Sequence, residues 1–343
     1  MANTGKSLSL LDRFRGCMVG AVVGDCLGSP VECQFWDGIP IAQVKKLFKD
    51  YQGSNHEQLQ YTDDTAMARQ VADSIIAMRS VDPQNLAQRF VNEYFKEPKR
   101  GYGASVTEVF KKLKHTQCQD PFKPASEQFN GSGSYGNGAA MRVHAVGIYC
   151  YEKSDESITE EVSKSAKVTH THPEAINGAV IQAACVSWAL QGLKGSEIRK
   201  RAFDLCSKFD KPDMDDKDTY VKKVKKMDAF FEHREDDIKQ MIEVLGNDVA
   251  ALGSVPTAVF AFLAGIQNQS LPADLETSEN PFERTLQFAM CFGGDADTIM
   301  SMAGALAGAY YGESGIPDYM KLISEGVDNA MRQADQLHKL VAQ

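Results

Sequence analysis

Gly16, Gly20, Gly24 and Gly28 follow one another at four-residue intervals, and Gly304, Gly308 and Gly312 do the same near the other end of the chain. Residues four apart share one face of an α-helix, so each run strips one helix face of its side chains. Such a face admits a second backbone at close range. Each glycine gives up roughly 1 kcal/mol of helix propensity relative to alanine, and close central packing is the natural offset. The same spacing marks helix pairs in membranes, but Asp12, Arg13, Arg15 and Asp25 lie alongside the first run. No stretch approaches the roughly 18–20 consecutive apolar residues of a membrane span, so a soluble protein is expected. A loop with scattered glycines is the competing reading of these runs.

Apolar residues recur at helical spacing over 65–78, 84–95, 105–113, 174–192 and 284–291, while period-two runs of β-branched residues are missing. The pattern predicts an all-α chain. With 343 residues, 43% of them hydrophobic, it can bury a large core without disulfide staples. Eight cysteines stand at irregular spacings with no C-x-x-C pair, which argues against a zinc knot or redox motif and for reduced thiols. The N-terminus is weakly basic and lacks the apolar core of a secretory signal. Breaks are expected at about 120–140, with a helical restart at Ala139, and at 208–219. No composition shift marks a domain boundary, so we expect one domain over 10–343 behind a flexible N-terminus at 1–9. The 46 acidic against 37 basic residues give a net charge of −9. That balance disfavours direct DNA binding through a broad basic face. Lys222–Lys226 (KKVKK) is the one short basic run, read as a solvated face or as a contact for an anionic polymer.

Two acidic clusters open apolar helices. They are Tyr61-Thr62-Asp63-Asp64-Thr65 and Gly293-Gly294-Asp295-Ala296-Asp297-Thr298. A cap accounts for one carboxylate per helix start, not two. Adjacent carboxylates without basic partners must be solvated, share a proton or hold a cation. If the two starts converge, their oxygens form a hard, all-oxygen set suited to Mg²⁺. Gly131-Ser132-Gly133-Ser134-Tyr135-Gly136-Asn137-Gly138 precedes another helix, and its glycines suit a nest of backbone N–H groups for a pyrophosphate. A flexible loop is the alternative. Glu32 follows the first glycine helix in a stretch expected to move. His170 and His172 are too close in sequence to share a helix face, so packing or hydrogen bonding is expected, with ligand contact as the functional option for His170.

Taken in order, Arg15-Gly16-Cys17 through Gly28, YTDDTAMA (61–68), RGYGASVTEVFKKL (100–113), FNGSGSYGNGAAMR (129–142), SVPTA (254–258) and GGDADT (293–298) resemble the ADP-ribosylglycohydrolase family. Within it the chain is most similar to the serine ADP-ribosylhydrolases, over residues from about 10 to the C-terminus. The resemblance implies a compact, single-domain orthogonal helical bundle with two Mg²⁺ ions in a central cleft. The implied metal ligands are Glu32, Thr62, Asp63, Asp64, Asp295, Asp297 and Thr298. Glu32, Asp63 and Asp64 are the implied catalytic groups, with Glu32 on a movable flap. Phe129, Ser132, Gly133, Ser134, Tyr135, Gly136, Asn137, Gly138 and His170 are the implied substrate contacts. The implied reaction is hydrolysis of the C1″ glycosidic bond of serine-linked ADP-ribose, poly(ADP-ribose) and O-acetyl-ADP-ribose. An arginine-specific hydrolase and a non-catalytic ADP-ribose binder are the alternatives. A monomer acting in the DNA-damage response is implied, in nucleus and cytoplasm, with the mitochondrial matrix as a further location. Ala296 departs from the family's usual G-G-D-T-D-T and puts hydrogen bonding behind the metal ligands in question.

Overall fold

The structure is a computed structural model and describes residues 8–53, 57–209, 218–232, 237–267 and 278–342. Its centre is the meeting of the two glycine runs. Leu10–Gly28 and Ala296–Tyr311 are both helices and run antiparallel against each other. Gly16 lies against Gly308 and Gly312, Gly20 against Gly304, Gly24 against Met300, and Gly28 against Ala296 and Asp297. A Cβ on Gly28 would stand 2.6 Å from the Asp297 Cα, and one on Gly24, Gly20 or Gly16 would run into a backbone carbonyl oxygen of the facing helix. Rigid backbone cannot yield as a side-chain tip can, so the four-residue spacing is a steric requirement. Because the pair is antiparallel, the C-terminal end of the first helix, and Glu32 just beyond it, lands beside Asp295–Thr298 at the start of the second.

The remaining helices wrap this pair. Pro173–Leu190, Ala251–Gln267 and Pro281–Cys291 pack on the second glycine helix, and Val327–Val341 packs on the first. Asp63–Met78 packs on Val327–Val341 and on Pro83–Lys96. Buried rings lock the far side. Phe260 meets Phe288 and Phe292 at 5.8 and 6.4 Å between centroids, and such pairs contribute about 0.5–1.5 kcal/mol each beyond area burial. Among the described residues there is no strand, only isolated bridges between Leu59 and Ser324 and between Gly136 and Ala250. The all-α expectation holds.

The helices expected from periodicity appear with small shifts, 65–78 as Asp63–Met78 and 174–192 as Pro173–Leu190. The restart placed at Ala139 does not occur there. Asn137–Ala139 is a single 3₁₀ turn, its first N–H bonded to the Val249 carbonyl, and the α-helix resumes at His144. Residues 1–7 of the N-terminal segment and 210–217 of the second break lie outside the described residues. The basic run sits on Tyr220–Glu232, where buried Lys223 donates to the Leu245 carbonyl and Lys226 faces Asp218 at 3.8 Å. It is therefore no continuous basic stripe. All eight cysteines are free thiols, and only Cys33 is exposed.

Replacing Gly24 by alanine should destabilise the fold by roughly 3 kcal/mol or more, at the top of the overpacking range. Gly103→Ala, whose Cβ would meet nothing within 4 Å and which caps the helix beginning at Ala104, should cost about 1 kcal/mol or less, the scale of a helix-cap exchange. Denaturant unfolding of both variants checks the contrast.

Candidate active site

The first acidic cluster is held from two sides. Thr62 caps Asp63–Met78, its hydroxyl accepting from the Asp64 N–H. The hydroxyl proton goes to Asp25 Oδ1 at 2.9 Å. Asp25 is fully buried in the first glycine helix and also receives the Thr62 N–H, the Thr65 N–H and the Thr65 hydroxyl. One carboxylate thus satisfies orphan donors at the start of another helix. On the outer side Arg100 makes a two-pronged ion pair with Glu325 at 2.7 and 3.0 Å and donates to the Tyr61 carbonyl. Its guanidinium lies 3.9 Å from the Tyr61 ring centre.

The second cluster depends on two glycines with φ of +61°, Gly293 and Gly294. This left-handed pair turns the chain sharply ahead of Asp295. Asn247 braces the turn, donating to the carbonyls of Trp36 and Phe292 and accepting from the Asp295 N–H. The Glu32 segment is stitched to the same turn, with the Cys33 N–H on the Gly294 carbonyl and the Gly294 N–H on the Phe35 carbonyl. As a result, carboxylate oxygens of Glu32, Asp295 and Asp297 lie within 4.8 Å of one another. Asn137 Nδ2 donates to Asp295 Oδ2 at 2.5 Å and to Ser254. The two helix starts converge, since the Thr298 hydroxyl donates to Asp64 Oδ1 at 3.2 Å.

Crowded acids in a buried place resist ionising. Burial, then the charges of Asp25 and its neighbours, pushes Asp63 up to about 8. Asp64 and Asp297 rise well above the usual carboxylate range, through burial first and then through each other's cluster. Burial likewise raises Asp25 and Asp295 to about 6. Asp64 Oδ2 is buried without a hydrogen-bond partner. An orphaned carboxylate oxygen inside a set of oxygen donors fits a hard divalent cation.

From this acidic end a cleft of about 320 Å³ runs toward the glycine loop. Phe129 and Tyr135 stand half exposed at its mouth with ring centres 6.1 Å apart, and Phe129 and Asn130 hold left-handed φ of 49° and 57°. Strain of that kind in a non-glycine pair is held in place by its surroundings. The loop is less open than its glycines suggest. The N–H groups of Ser132, Gly133, Gly136 and Asn137 go to Phe129 O, Gln128 O, Ser134 Oγ and Val249 O. Among the described residues, those of Ser134 and Tyr135 have no partner in the chain.

Of the residues singled out from sequence, Glu32, Asp63, Asp64, Phe129, Ser134 to Gly138, His170, Asp295, Asp297 and Thr298 line this one cleft. Thr62, Ser132 and Gly133 do not. Thr62 sits behind the acids, and a Cβ on Gly133 would meet Thr171. His172 packs edge-on against Tyr135 and caps Pro173–Leu190. Ala296 is fully buried, its backbone against Gly28. Sequence reasoning missed Asp25, Arg100, Asn247, Glu325 and Arg142. For Asp25 a signal existed, since a lone carboxylate inside a glycine-faced apolar helix demands partners. The others carry no local signature.

Comparison with known proteins places the chain in a family. The family model described as ADP-ribosylglycohydrolase matches residues 6–343. ADP-ribosylhydrolase ARH3 of Gallus gallus is 38% identical, covering 96% of this chain and 94% of that protein, and ADP-ribosylhydrolase ARH3 of Homo sapiens shows the same values. An uncharacterized protein of Archaeoglobus fulgidus is 28% identical over 87% of each. A solved structure described as an ADP-ribosylglycohydrolase-related protein complex superposes with a TM-score of 0.68 at 22% identity, over 97% of this chain and 99% of that one. This last likeness speaks for the fold alone.

A carboxyl whose pKa is raised by folding holds its proton more tightly in the folded chain. Its contribution is complete below the unfolded value and is lost as pH rises through the folded one. With Asp63 raised from the ordinary carboxylate range to about 8 and Asp64 and Asp297 also raised, thermal stability in a chelator should fall progressively as pH rises from about 4 to about 8 and level off above that. Asp64→Asn should flatten that profile and stabilise the metal-free protein by roughly 0.5–2 kcal/mol. Melting curves across this range test both statements.

Proposed function

Because the chain belongs to the ADP-ribosylglycohydrolase family, we propose that this hydrolase cleaves the C1″ glycosidic bond of ADP-ribose attached to protein serine. On the same reading it is Mg²⁺-dependent and also acts on poly(ADP-ribose) and O-acetyl-ADP-ribose, in nucleus and cytoplasm. The observation that carries the proposal is a single cleft with an acidic end and an aromatic, donor-lined end. Such a cleft suits a ligand with a sugar to be cleaved at one end and a nucleotide at the other.

Glu32, Thr62, Asp63, Asp64, Asp295, Asp297 and Thr298 would hold two Mg²⁺ ions. Thr62 keeps one lone pair for this purpose, since its proton is on Asp25 and its other lone pair takes the Asp64 N–H. Bound there, Mg²⁺ supplies fixed positive charge and binding positions for ribose hydroxyls. Asn137 keeps Asp295 in one orientation. Phe129 and Tyr135 stack the adenine, and the Ser132–Gly138 loop with His170 takes the diphosphate and adjoining ribose. Breaking the bond builds positive charge at C1″, which the carboxylates around it stabilise. Glu32 is the least buried carboxylate of the Glu32, Asp295 and Asp297 group, free to collect a proton from the attacking water and deliver it to the departing serine oxygen. The bond from C1″ to the water oxygen replaces the bond to serine, and one proton crosses.

Side-by-side release of ADP-ribose from serine- and arginine-modified peptides tests the linkage. Serine-linked substrate should turn over and arginine-linked substrate should not, and the reverse preference, or AMP among the products, sinks the assignment. Glu32→Gln should lower turnover by roughly 100-fold or more, the usual cost of losing a proton-transfer group. Chelation should abolish turnover, and added Mg²⁺ should restore it.

A further inference from the structure

His170 lines the cleft with its imidazole fully packed around Nδ1, and what lies behind it decides what it offers a ligand. Thr169 Oγ1 sits 2.7 Å from His170 Nδ1 and 2.8 Å from Arg142 Nη2. A guanidinium can only donate, so Arg142 occupies a lone pair of that hydroxyl. The hydroxyl has a single proton. Among the described residues Nδ1 is the one acceptor within its reach besides the groups already donating to it, so the proton points to Nδ1. An imidazole nitrogen that accepts carries no hydrogen. The ring's own proton then stands on Nε2.

Nε2 has no partner in the chain among the described residues. It lies under the glycine loop, where a Cβ on Gly138 would come within 3.1 Å of it and one on Gly136 within 3.5 Å. Arg142 is fully buried, 4.9 Å from the Phe90 ring centre. It donates to the Gly138 carbonyl and to the Ser165 carbonyl, and among the described residues no carboxylate forms an ion pair with it. The first of these bonds turns a loop carbonyl away from the cleft. The free N–H groups of Ser134 and Tyr135 belong to the same loop. Burial and the neighbouring Arg142 charge together pull His170 down to about 3, so the ring is neutral at physiological pH.

We infer that Arg142 and Thr169, which do not line the cleft, are positioning residues that lock His170 as the Nε2–H tautomer and aim a neutral donor at a phosphate oxygen of the ligand. Donors without acceptors, next to a buried cation, select an anionic oxygen over a hydroxyl or amide. The ligand's identity rests on the function proposed above, whereas the tautomer rests on this chain alone.

Nitrogen-15 NMR of the histidine-labelled protein reads the tautomer directly, with the His170 signals assigned by their loss in His170→Gln. At pH 7 the wild type should show a protonated Nε2 and a bare Nδ1. A protonated Nδ1, or a doubly protonated ring, overturns the inference. Thr169→Val should release the lock, giving a mixed or reversed tautomer, and weaken ADP-ribose binding roughly tenfold, the scale of one hydrogen bond. Thr169→Ser should restore both. A Thr169→Val protein with wild-type tautomer and affinity also overturns it. Should that variant not fold, the wild-type tautomer decides alone. Wild-type protein that binds no ADP-ribose but shows the Nε2–H form would refute the proposed function and leave the tautomer assignment standing.

Discussion

Backbone against backbone, the contact between Leu10–Gly28 and Ala296–Tyr311 sets the position of everything else. Two helices that lack side chains along one face approach more closely than ordinary helix pairs, whose axes stand about 8–10 Å apart. At that range the register is fixed, because sliding either helix would bring a Cβ onto a carbonyl oxygen. Register fixes which ends meet. Gly28 against Asp297 brings residues far apart in the chain to one point, and from there Glu32 and the Asp295–Thr298 turn need only local hydrogen bonds to complete the cluster. The stability given up at each glycine is returned as position.

The acidic centre works against the fold that builds it. Several carboxylates share a buried volume, one of them with an oxygen that no protein group satisfies. A chain selected for stability alone would neutralise or disperse them. Instead the surrounding bonds hold them together. Asp25 gathers four donors from the first helix start, Asn247 and Asn137 fix Asp295, and Arg100 with Glu325 clamps the approach at Tyr61. These groups neither face the cleft as acids nor act on a ligand, apart from Asn137, which also lines it. Their effect is to make a repulsive arrangement the one the backbone must adopt. At the other end of the cleft the logic is reversed. A buried cation, Arg142, stands behind a loop with unpartnered N–H groups. The opposed fields at the two ends give an overall acidic protein a place for an anionic nucleotide.

Much of this was legible in the residues. Helical periodicity marked five of the helices to within three residues, since an apolar face must recur every three to four positions whatever it packs against. The paired carboxylates at Asp63-Asp64 and Asp295/Asp297 stood out because a single cap cannot account for two. The glycine loop was legible as a donor site, but half of its apparent donors are spent on Gln128, Phe129, Ser134 and Val249, and composition gives no hint of that. The misplaced helix restart has the same origin. The helix expected from Ala139 begins only at His144, and the bond from the Asn137 N–H to the distant Val249 carbonyl leaves no mark in the local residues.

What the sequence determined by itself was chemistry and periodicity: an all-α chain, two carboxylate pairs at helix starts, and glycine faces demanding a close partner. These follow from rules that act over one or two helical turns. Only the tertiary structure decided which faces meet and what stands behind each functional group. That Asp25 holds Thr62, that Arg100 reaches Glu325 225 positions away, and that Thr169 separates Arg142 from His170 are facts of long-range packing. A hydrogen-bond donor finds its acceptor by proximity in space, and a linear order of residues does not contain that proximity until the glycine helices have fixed the register.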